Sequence, residues 1–356
     1  MATLAATRTR QQALPRPLLL GLALAVLLVA SLLANLRLGA VAISGSDLVA
    51  ALTGGVPADP SAQLVLLGIR LPRLLAAMAV GAALALAGAA MQALFRNPLA
   101  EPGLLGVSTG AALGAAGWLV AGGTLATIVP AVLLPFGLPL MGFVGAIAAI
   151  VLVLALGARS RGPEATLLML LIGIGVNAMG GALIGMASYV ATDNELRVLS
   201  TWMMGSLAQT ERAVLLPALL LLGIAMAGII STARALDLLA LGEAPARHLG
   251  LDTDRLRRRL GLQVALIVGS AVALSGIIGF VGLIVPHVVR IIAGPGHRAL
   301  LPLAAVGGAV ALSLADLAAR MLALPAEVPV GIVMAFVGAP AFLALLLGRV
   351  RSGGLA

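Results

Sequence analysis

The chain has 356 residues, of which 61% are hydrophobic and 10% are charged, and it contains no cysteine. With so little polar surface it cannot coat a water-soluble globule, so its composition predicts a protein whose solvent is lipid. All 22 basic residues are arginine, which excludes the lysine of a P-loop ATPase, and the absence of cysteine excludes disulfides and thiolate metal sites.

The N-terminal part predicts a first membrane span. Arg8, Arg10 and Arg16 precede an uncharged stretch over residues 17–36, which is long enough to cross a bilayer as a helix. Because this stretch exceeds the apolar core of a usual signal peptide, we expect an uncleaved helix whose N-terminus is cytoplasmic. Residues 38–73 contain glycines, prolines and an aspartate, and we expect them to form a loop outside the membrane.

The middle of the chain predicts five further spans. They lie at residues 74–95, at two positions within the uncharged residues 102–158, at residues 165–192 and at residues 213–233. The break within residues 102–158 is expected near Gly122, Gly123 and a cluster of prolines, which disfavour a continuous helix. Arg159 and Arg161 then indicate a return to the cytoplasmic side.

The segment over residues 234–259 stands out by its charge. It holds ten charged residues and is flanked by uncharged stretches on both sides. Alternation from a cytoplasmic N-terminus places it in the cytoplasm, where arginine is expected. Within it, residues 241–250 predict a short helix along the membrane surface that offers Leu241 and Leu249 to a soluble partner and stops at Gly250.

The C-terminal part completes a topology of ten spans with both termini in the cytoplasm. Two short helices are expected between residues 260 and 289, with a break at residues 279–282, followed by spans at residues 299–315 and 328–348. Of the 22 arginines, 16 then lie inside and six outside, which agrees with the positive-inside rule. The six outside are Arg37, Arg70, Arg73, Arg197, Arg212 and Arg320.

The polar residues do not compose a catalytic site or a metal site. His248 and His297 are expected on the solvated surface, and His287 at the start of a helix, where a capping role is expected; the three show no metal-ligand spacing. Asp316 lies at the edge of a span and precedes Arg320 by four positions, a spacing that predicts an ion pair within one helix. No other carboxylate is predicted within a span, which counts against a carrier driven by protons or sodium ions.

Several motifs in fixed order resemble the permease subunits of the bacterial ABC importers for iron-siderophores, haem and cobalamin, the FecCD type. They are Arg70 to Arg73 (RLPR), Gly88 to Gln92 (GAAMQ), Arg96 to Ala100 (RNPLA), Pro102 to Gly106, Gly110-Ala111, Leu241-Gly242, Leu249-Gly250, Gly279 to His287 (GFVGLIVPH), Arg290, Asp316, Arg320, Glu327 to Gly331 (EVPVG) and Gly338 to Pro340 (GAP). These motifs cover nearly the whole chain. The charged segment departs from the general importer loop because Pro245 interrupts it.

The resemblance implies a single transmembrane domain over residues 1–356 with a ten-helix type II importer fold, whose cytoplasmic coupling loop is residues 234–259. It implies a homodimer in the bacterial inner membrane, two separate ATP-binding subunits and a periplasmic binding protein, with no cofactor, no nucleic acid and no enzymatic activity of its own.

Three sets of residues carry the roles that the resemblance implies. Leu241, Gly242, Ala246, Leu249 and Gly250 would couple to the ATPase; Arg70, Arg73 and Arg320 would dock the binding protein; Asn97 and Leu99 would line the cytoplasmic gate. Among substrates the residues around the coupling segment and Glu327 favour haem, with an iron-siderophore complex next and cobalamin after it. A secondary carrier or channel that works without an ATPase is the alternative, and a membrane-embedded enzyme a more distant one.

Overall fold

The structure is a computed structural model that describes residues 15–41, 43–55, 57–125, 127–157, 163–208 and 212–351. These residues form helices and connecting turns without a β-strand, so the all-helical prediction is confirmed for this part of the chain. The predicted topology places both chain termini, Arg8, Arg10, Arg159 and Arg161 in the cytoplasm. All of them lie outside the described residues.

The first third of the chain is more helical than predicted. Its helices are α1 (Arg16–Arg37), α2 (Gly45–Thr53), α3 (Pro60–Gln63), a π-helical stretch (Leu64–Arg70) and α4 (Leu71–Leu94), of which the last three are continuous. The predicted loop over residues 38–73 is therefore wrong. Ser44 caps α2, Asp59 caps α3, and Pro60 occupies the first turn of α3, where its missing N–H breaks no hydrogen bond.

The remaining helices follow the predicted order. They are α5 (Val107–Leu125), α6 (Gly137–Gly157), α7 (Pro163–Val190), α8 (Asp193–Met203), α9 (Arg212–Ile230), α10 (Ala233–Ala240), α11 (Glu243–His248), α12 (Thr253–Ser275), α13 (Val281–Ala293), α14 (His297–Met321) and α15 (Val330–Arg351), with 3-10 helices at Pro102–Leu105 and Ala131–Phe136. Helix α5 passes through Gly122 and Gly123, so the predicted break lies a few residues later. The break between α12 and α13 spans residues 276–280 and overlaps the predicted one.

Seven segments of the described chain are long and apolar enough to cross a membrane. They are Arg16–Arg37, Pro60–Leu94, Ala131–Gly157, Leu167–Val190, Ala213–Ile230, Thr253–Ser275 and His297–Met321. Helices α5, α13 and α15 occupy the other predicted spans, but the apolar stretches Val281–Ala293 and Val330–Ala344 are shorter. The total of ten spans thus stays a prediction, with a helix at each predicted position.

The interior of the bundle is built by α4, α12 and α14. In their spanning windows 78%, 67% and 56% of the residues are buried, compared with 11% in α1 and 17% in α7. Glycine allows the central helices to approach closely: a Cβ on Gly81 would lie 2.2 Å from the carbonyl oxygen of Gly308, and one on Gly88 would lie 1.8 Å from that of Gly282. Such contacts between small residues are typical of helices that pack within lipid.

Candidate docking, coupling and gate sites

At the end of the bundle that is predicted to face outside, Arg73 is held by two carboxylates. Its Nε and Nη2 lie 3.0 and 2.9 Å from Asp316 Oδ1, and its Nη1 lies 2.7 Å from Glu327 Oε2. The Asp316 side chain is 1% exposed, whereas that of Glu327 is 41% exposed. Asp316 is therefore the buried anchor of Arg73, and Glu327 is its accessible partner.

Arg320 completes this cluster from the next turn of α14. Its Nε lies 3.3 Å from Asp316 Oδ2, so the ion pair predicted from their spacing is present. Its Nη2 donates to Asn35 Oδ1 at 2.5 Å, and Asn35 Nδ2 donates to the Ser313 carbonyl at 3.1 Å. The cluster thus joins α1, α4 and α14 through polar contacts.

Arg70 lies apart from the carboxylates. Its Nη1 donates to the Leu36 carbonyl at 2.6 Å and its Nη2 donates to the Val41 carbonyl. Arg70 therefore fixes the end of α1 and the segment that follows it. Arg70, Arg73 and Arg320 are 5%, 7% and 8% exposed, respectively. All three predicted docking residues therefore point into the protein, and their role in docking stays a prediction.

Helix α2 and its flanking turns form a small cap beside this cluster. Its apolar residues Ile43, Leu48 and Ala51 are buried against the end of α1 and the start of α4. Asp47 accepts hydrogen bonds from Ser44 Oγ at 2.7 Å and from the Ala58 N–H at 2.6 Å. These bonds, the one from Ser44 first, hold the pKa of Asp47 below its ordinary value.

At the opposite end, the predicted coupling residues lie in and around α10 and α11. Leu241 and Leu249 are 63% and 60% exposed, as expected for apolar side chains offered to a partner. Gly242 and Gly250 have positive φ angles of 114° and 85°, which favour glycine at the two ends of α11. Ala246 is fully buried, so it seats α11 on the bundle and has no surface of its own to offer.

A charged network fixes α11 to the start of α12. Glu243 Oε1 lies 3.0 Å from Arg247 Nη2 and 3.2 Å from Arg257 Nη2, and Arg257 Nη1 lies 3.0 Å from Asp254 Oδ1. Arg247 Nε also donates to Thr253 Oγ1 at 2.8 Å. The short helix that presents the two leucines is thereby held in a defined orientation.

Of the histidines, only His248 lies on the surface as predicted. The prediction for His297 is wrong: it is buried at the start of α14, and both its backbone N–H and its Nδ1 lie 2.8 Å from Asp237 Oδ1 of α10. His287 is buried within α13, which begins six residues earlier, so it does not cap the helix. No group of residues that could hold a metal ion is found in the described part of the chain.

The predicted gate residues lie on the gate turn, which we define as residues 95–106 between α4 and α5. Asn97 is exposed and Leu99 half-buried, and Asn97 Oδ1 accepts a hydrogen bond from the Leu99 N–H at 2.9 Å. Two residues of the turn have positive φ angles, Arg96 at 47° and Gly106 at 80°. The side chain of Asn97 thus shapes the turn, while its position leaves it accessible.

Comparison with known proteins decides what kind of protein carries these sites. The sequence profile of the FecCD transport family matches residues 26–348. The chain belongs to this family. The resemblance inferred from the motifs is thereby confirmed, over almost the same part of the chain.

Relatives of this FecCD family member are named as permeases. The hemin transport system permease protein HmuU of Yersinia pestis is 42% identical over 340 residues, covering 93% of this chain and 95% of the relative. The vitamin B12 import system permease protein BtuC of Escherichia coli O157:H7 is 41% identical over 335 residues, covering 92% and 94%. The chain is accordingly a membrane permease subunit and not an enzyme.

A solved structure supports the fold. It is an inward-facing ABC transporter assigned to the metal-chelate type, with a TM-score of 0.81 and 32% identity, covering 93% of this chain and 99% of its own. The predicted importer permease fold is confirmed at this level.

Several polar contacts near the candidate sites carry no local signal in the sequence. Gln92 of α4 donates to the Gly282 and Leu283 carbonyls of α13 at 3.2 and 3.1 Å and accepts from Arg290 Nη1 at 3.0 Å. Glu101, on the gate turn, accepts a hydrogen bond from the Phe280 N–H at the N-terminus of α13. Gln92 is part of a quoted family motif and Glu101 lies between two of them, but only the tertiary structure shows what their side chains contact.

Proposed function

We propose that this chain is the permease of an ATP-driven importer that moves haem or an iron-siderophore complex from the periplasm to the cytoplasm. The observation that carries the proposal is the match to the family over nearly the whole chain, together with the near-complete coverage of a hemin permease. The vitamin B12 permeases are similar to nearly the same degree, so cobalamin is the competing substrate. ATP would be hydrolysed in two separate subunits, and the permease would function as a homodimer in the inner membrane, with both termini cytoplasmic.

The coupling role is proposed for α11 and its flanking residues. Leu241 and Leu249 are exposed apolar side chains next to a short helix that is clamped by Glu243 and Arg257. Exposed apolar side chains at the two ends of a rigid short helix can bind in a groove on a soluble partner. Gly242 and Gly250 would set the direction of the chain at the two ends of α11. The buried Ala246 would pack α11 against the bundle.

Docking of a periplasmic binding protein is proposed for the opposite face. Arg73 is the favoured contact among the three arginines, because its partner Glu327 is accessible and can exchange with a carboxylate of the binding protein. Arg70 and Arg320 bind partners in the interior, so they would contribute by stabilising the structure of that face. Asn97 and Leu99 would line the cytoplasmic gate of the pathway between two copies.

The test is uptake into proteoliposomes that contain the permease with its ATPase and a saturating binding protein. We expect uptake of haemin that requires ATP and is at least tenfold above uptake of cobalamin or of a ferric siderophore. Preference for the ferric siderophore would select the second proposed substrate, and preference for cobalamin would overturn both. Uptake by the permease alone, driven by an ion gradient and indifferent to ATP, would establish the carrier or channel instead.

A pair of matched variants tests the coupling surface in the same vesicles. Leu249→Asp should lower ATP-driven uptake at least tenfold because it places a charge on the apolar contact. Val49→Asp is the control, since Val49 has the same 60% exposure but lies on α2 at the other end of the molecule. Equal uptake by the two variants would remove Leu249 from the coupling surface.

A further inference from the structure

Glu101 is a carboxylate on the gate turn that none of the proposed roles uses. Its Oε1 accepts a hydrogen bond from the Phe280 N–H at 3.2 Å, across 179 positions of the sequence. It lines a small, partly open pocket of about 20 Å³ together with Leu84, Ser108 and Gly282. Such a space has room for about one water molecule, and Glu101 is half-buried, so its carboxylate depends on few polar partners.

The other end of this hydrogen bond is a strained point of the backbone. Phe280 has a φ of 67°, which is rare for a bulky side chain, and it is the N-cap of α13 without a cap from its own side chain. Glu101 thus binds an N–H at the N-terminus of α13, where a negative charge is also favoured by the helix dipole. The break between α12 and α13 is therefore stabilised from the gate turn.

The gate turn has a second attachment, on α7. Asn177 Nδ2 donates to the Gly103 carbonyl at 3.1 Å, and Asn177 Oδ1 accepts from Thr109 Oγ1 at 2.5 Å. A Cβ on Gly173 would lie 2.2 Å from the Leu104 carbonyl oxygen, so the turn and α7 are also in close contact. The gate turn is consequently clamped between the α12–α13 break on one side and α7 on the other.

Phe280 further connects the break to α15. A Cβ on Gly338 would lie 2.5 Å from Phe280 Cβ, so α15 packs directly on this residue. The hydrogen bond from the Phe280 N–H to Glu101 thereby joins the turn that carries Asn97 and Leu99 to the start of α13, on which α15 packs. A displacement of any of these helices at Phe280 would reach the gate turn through Glu101.

We propose that Glu101 is a positioning residue of the cytoplasmic gate, which ties the gate turn to the α12–α13 break so that the two move together. Asn177 holds the same turn on α7. The inference rests on the proposed role of Asn97 and Leu99 as gate residues, but the tie itself is a property of the single chain. It is an acceptor function, so glutamine at position 101 should retain it and alanine should abolish it.

The experiment combines a local probe with transport. The natural chain has no cysteine, so a single introduced cysteine can carry a spin label. The substitution Leu104→Cys places this label on the gate turn, where the native side chain is 42% exposed. In the purified full-length permease, Glu101→Ala should increase the mobility of this label at least twofold, and Glu101→Gln should leave it near the parent value. A spin label on Val49→Cys in α2 serves as the reference, and its mobility should not change in either Glu101 variant.

In the reconstituted importer, Glu101→Ala should lower ATP-driven uptake at least tenfold, and Glu101→Gln should restore it to within threefold of the parent. Glu195→Ala, which removes a capping carboxylate from α8 at the other face, is the control variant.

Parent-like label mobility in Glu101→Ala would overturn the proposal. Equal loosening at positions 104 and 49 would also overturn it, because it would indicate a general loss of structure. Absence of ATP-driven uptake in the parent importer would reject the proposed function, while the mobility measurement would still decide the tie.

Discussion

The charges of Arg73, Arg320 and Asp316 are among the few in the interior of this protein, and their geometry makes them acceptable there. Asp316 accepts three contacts of 3.0 Å or less from Arg73 and lies 3.3 Å from Arg320. Glu327 brings a second negative charge, so two arginines face two carboxylates. A buried charge of this kind is tolerated only while its partners are in place.

Asp316→Asn should therefore destabilise the protein strongly, because it leaves Arg73 and Arg320 without their shared carboxylate. We expect a loss of about 3–5 kcal/mol in the free energy of unfolding, measured by reversible denaturation in mixed micelles. Glu327→Gln is the matched control: its side chain is 41% exposed, and exposed pairs contribute only about 0–1 kcal/mol. An equal loss in both variants would contradict the assignment of Asp316 as the anchor.

At the scale of the helices, backbone contact at glycine determines how closely the central elements pack. Helix α4 meets α14 at Gly81 and Gly308, and it meets α13 at Gly88 and Gly282. The motif GAAMQ places Gly88 and Gln92 on one side of α4, since residues four apart share a helix face. Gly88 allows the approach, and Gln92 then bonds to the Gly282 and Leu283 carbonyls.

Gly88→Ala should lower the melting temperature of the purified permease, because its Cβ would lie 1.8 Å from the Gly282 carbonyl oxygen and force α4 and α13 apart. Overpacking of this kind typically costs about 1–3 kcal/mol. Gly117→Ala on α5 is the matched control, since its added Cβ would meet no atom within 4 Å outside the local backbone of its own helix, and it should be neutral or stabilising. Size-exclusion chromatography after heating would show the difference, and a parent-like Gly88→Ala would refute the close contact.

The helical segments also show where local patterns were misleading. Residues 38–73 were expected to form a loop because glycine, proline and aspartate are frequent in turns. In the structure Ser44 and Asp59 act as helix caps and Pro60 as a first-turn residue. The same residue types favour turns and helix starts, and the apolar residues that bury α2 against α1 are needed to distinguish the two.

For the whole molecule, the orientation in the membrane follows from the distribution of arginine. The segment over residues 234–259 holds ten charged residues and should face the cytoplasm, while α2 should lie on the opposite side. A helix lies at each of the ten predicted positions, and within the described residues seven segments are long and apolar enough to cross a membrane. The orientation itself therefore requires a measurement.

Single cysteines in the cysteine-free chain provide it. In intact cells made permeable only at the outer membrane, a membrane-impermeant maleimide should label Ser46→Cys on α2 but not His248→Cys on α11; both native side chains are exposed. Labelling of His248→Cys should require disruption of the inner membrane. The reverse pattern would invert the topology and with it the sides proposed for coupling and docking.

Much about this protein was determined by the sequence alone. A chain with 61% hydrophobic and 10% charged residues has to fold in lipid, and the lengths of its uncharged stretches placed most helices. Motifs of several residues in fixed order identified the family, and local spacing was enough for the pair of Asp316 and Arg320. These properties are local or compositional, so no knowledge of the packing was needed.

Contacts between distant residues were decided only by the tertiary structure. Arg73 meets Asp316 across 243 positions, Glu101 meets Phe280 across 179, and His297 meets Asp237 across 60. Whether an arginine at a span end points to solvent or into the bundle depends on how α1, α4 and α14 pack. Helices α4 and α14 approach closely at Gly81 and Gly308, and in the resulting packing Arg70, Arg73 and Arg320 are buried.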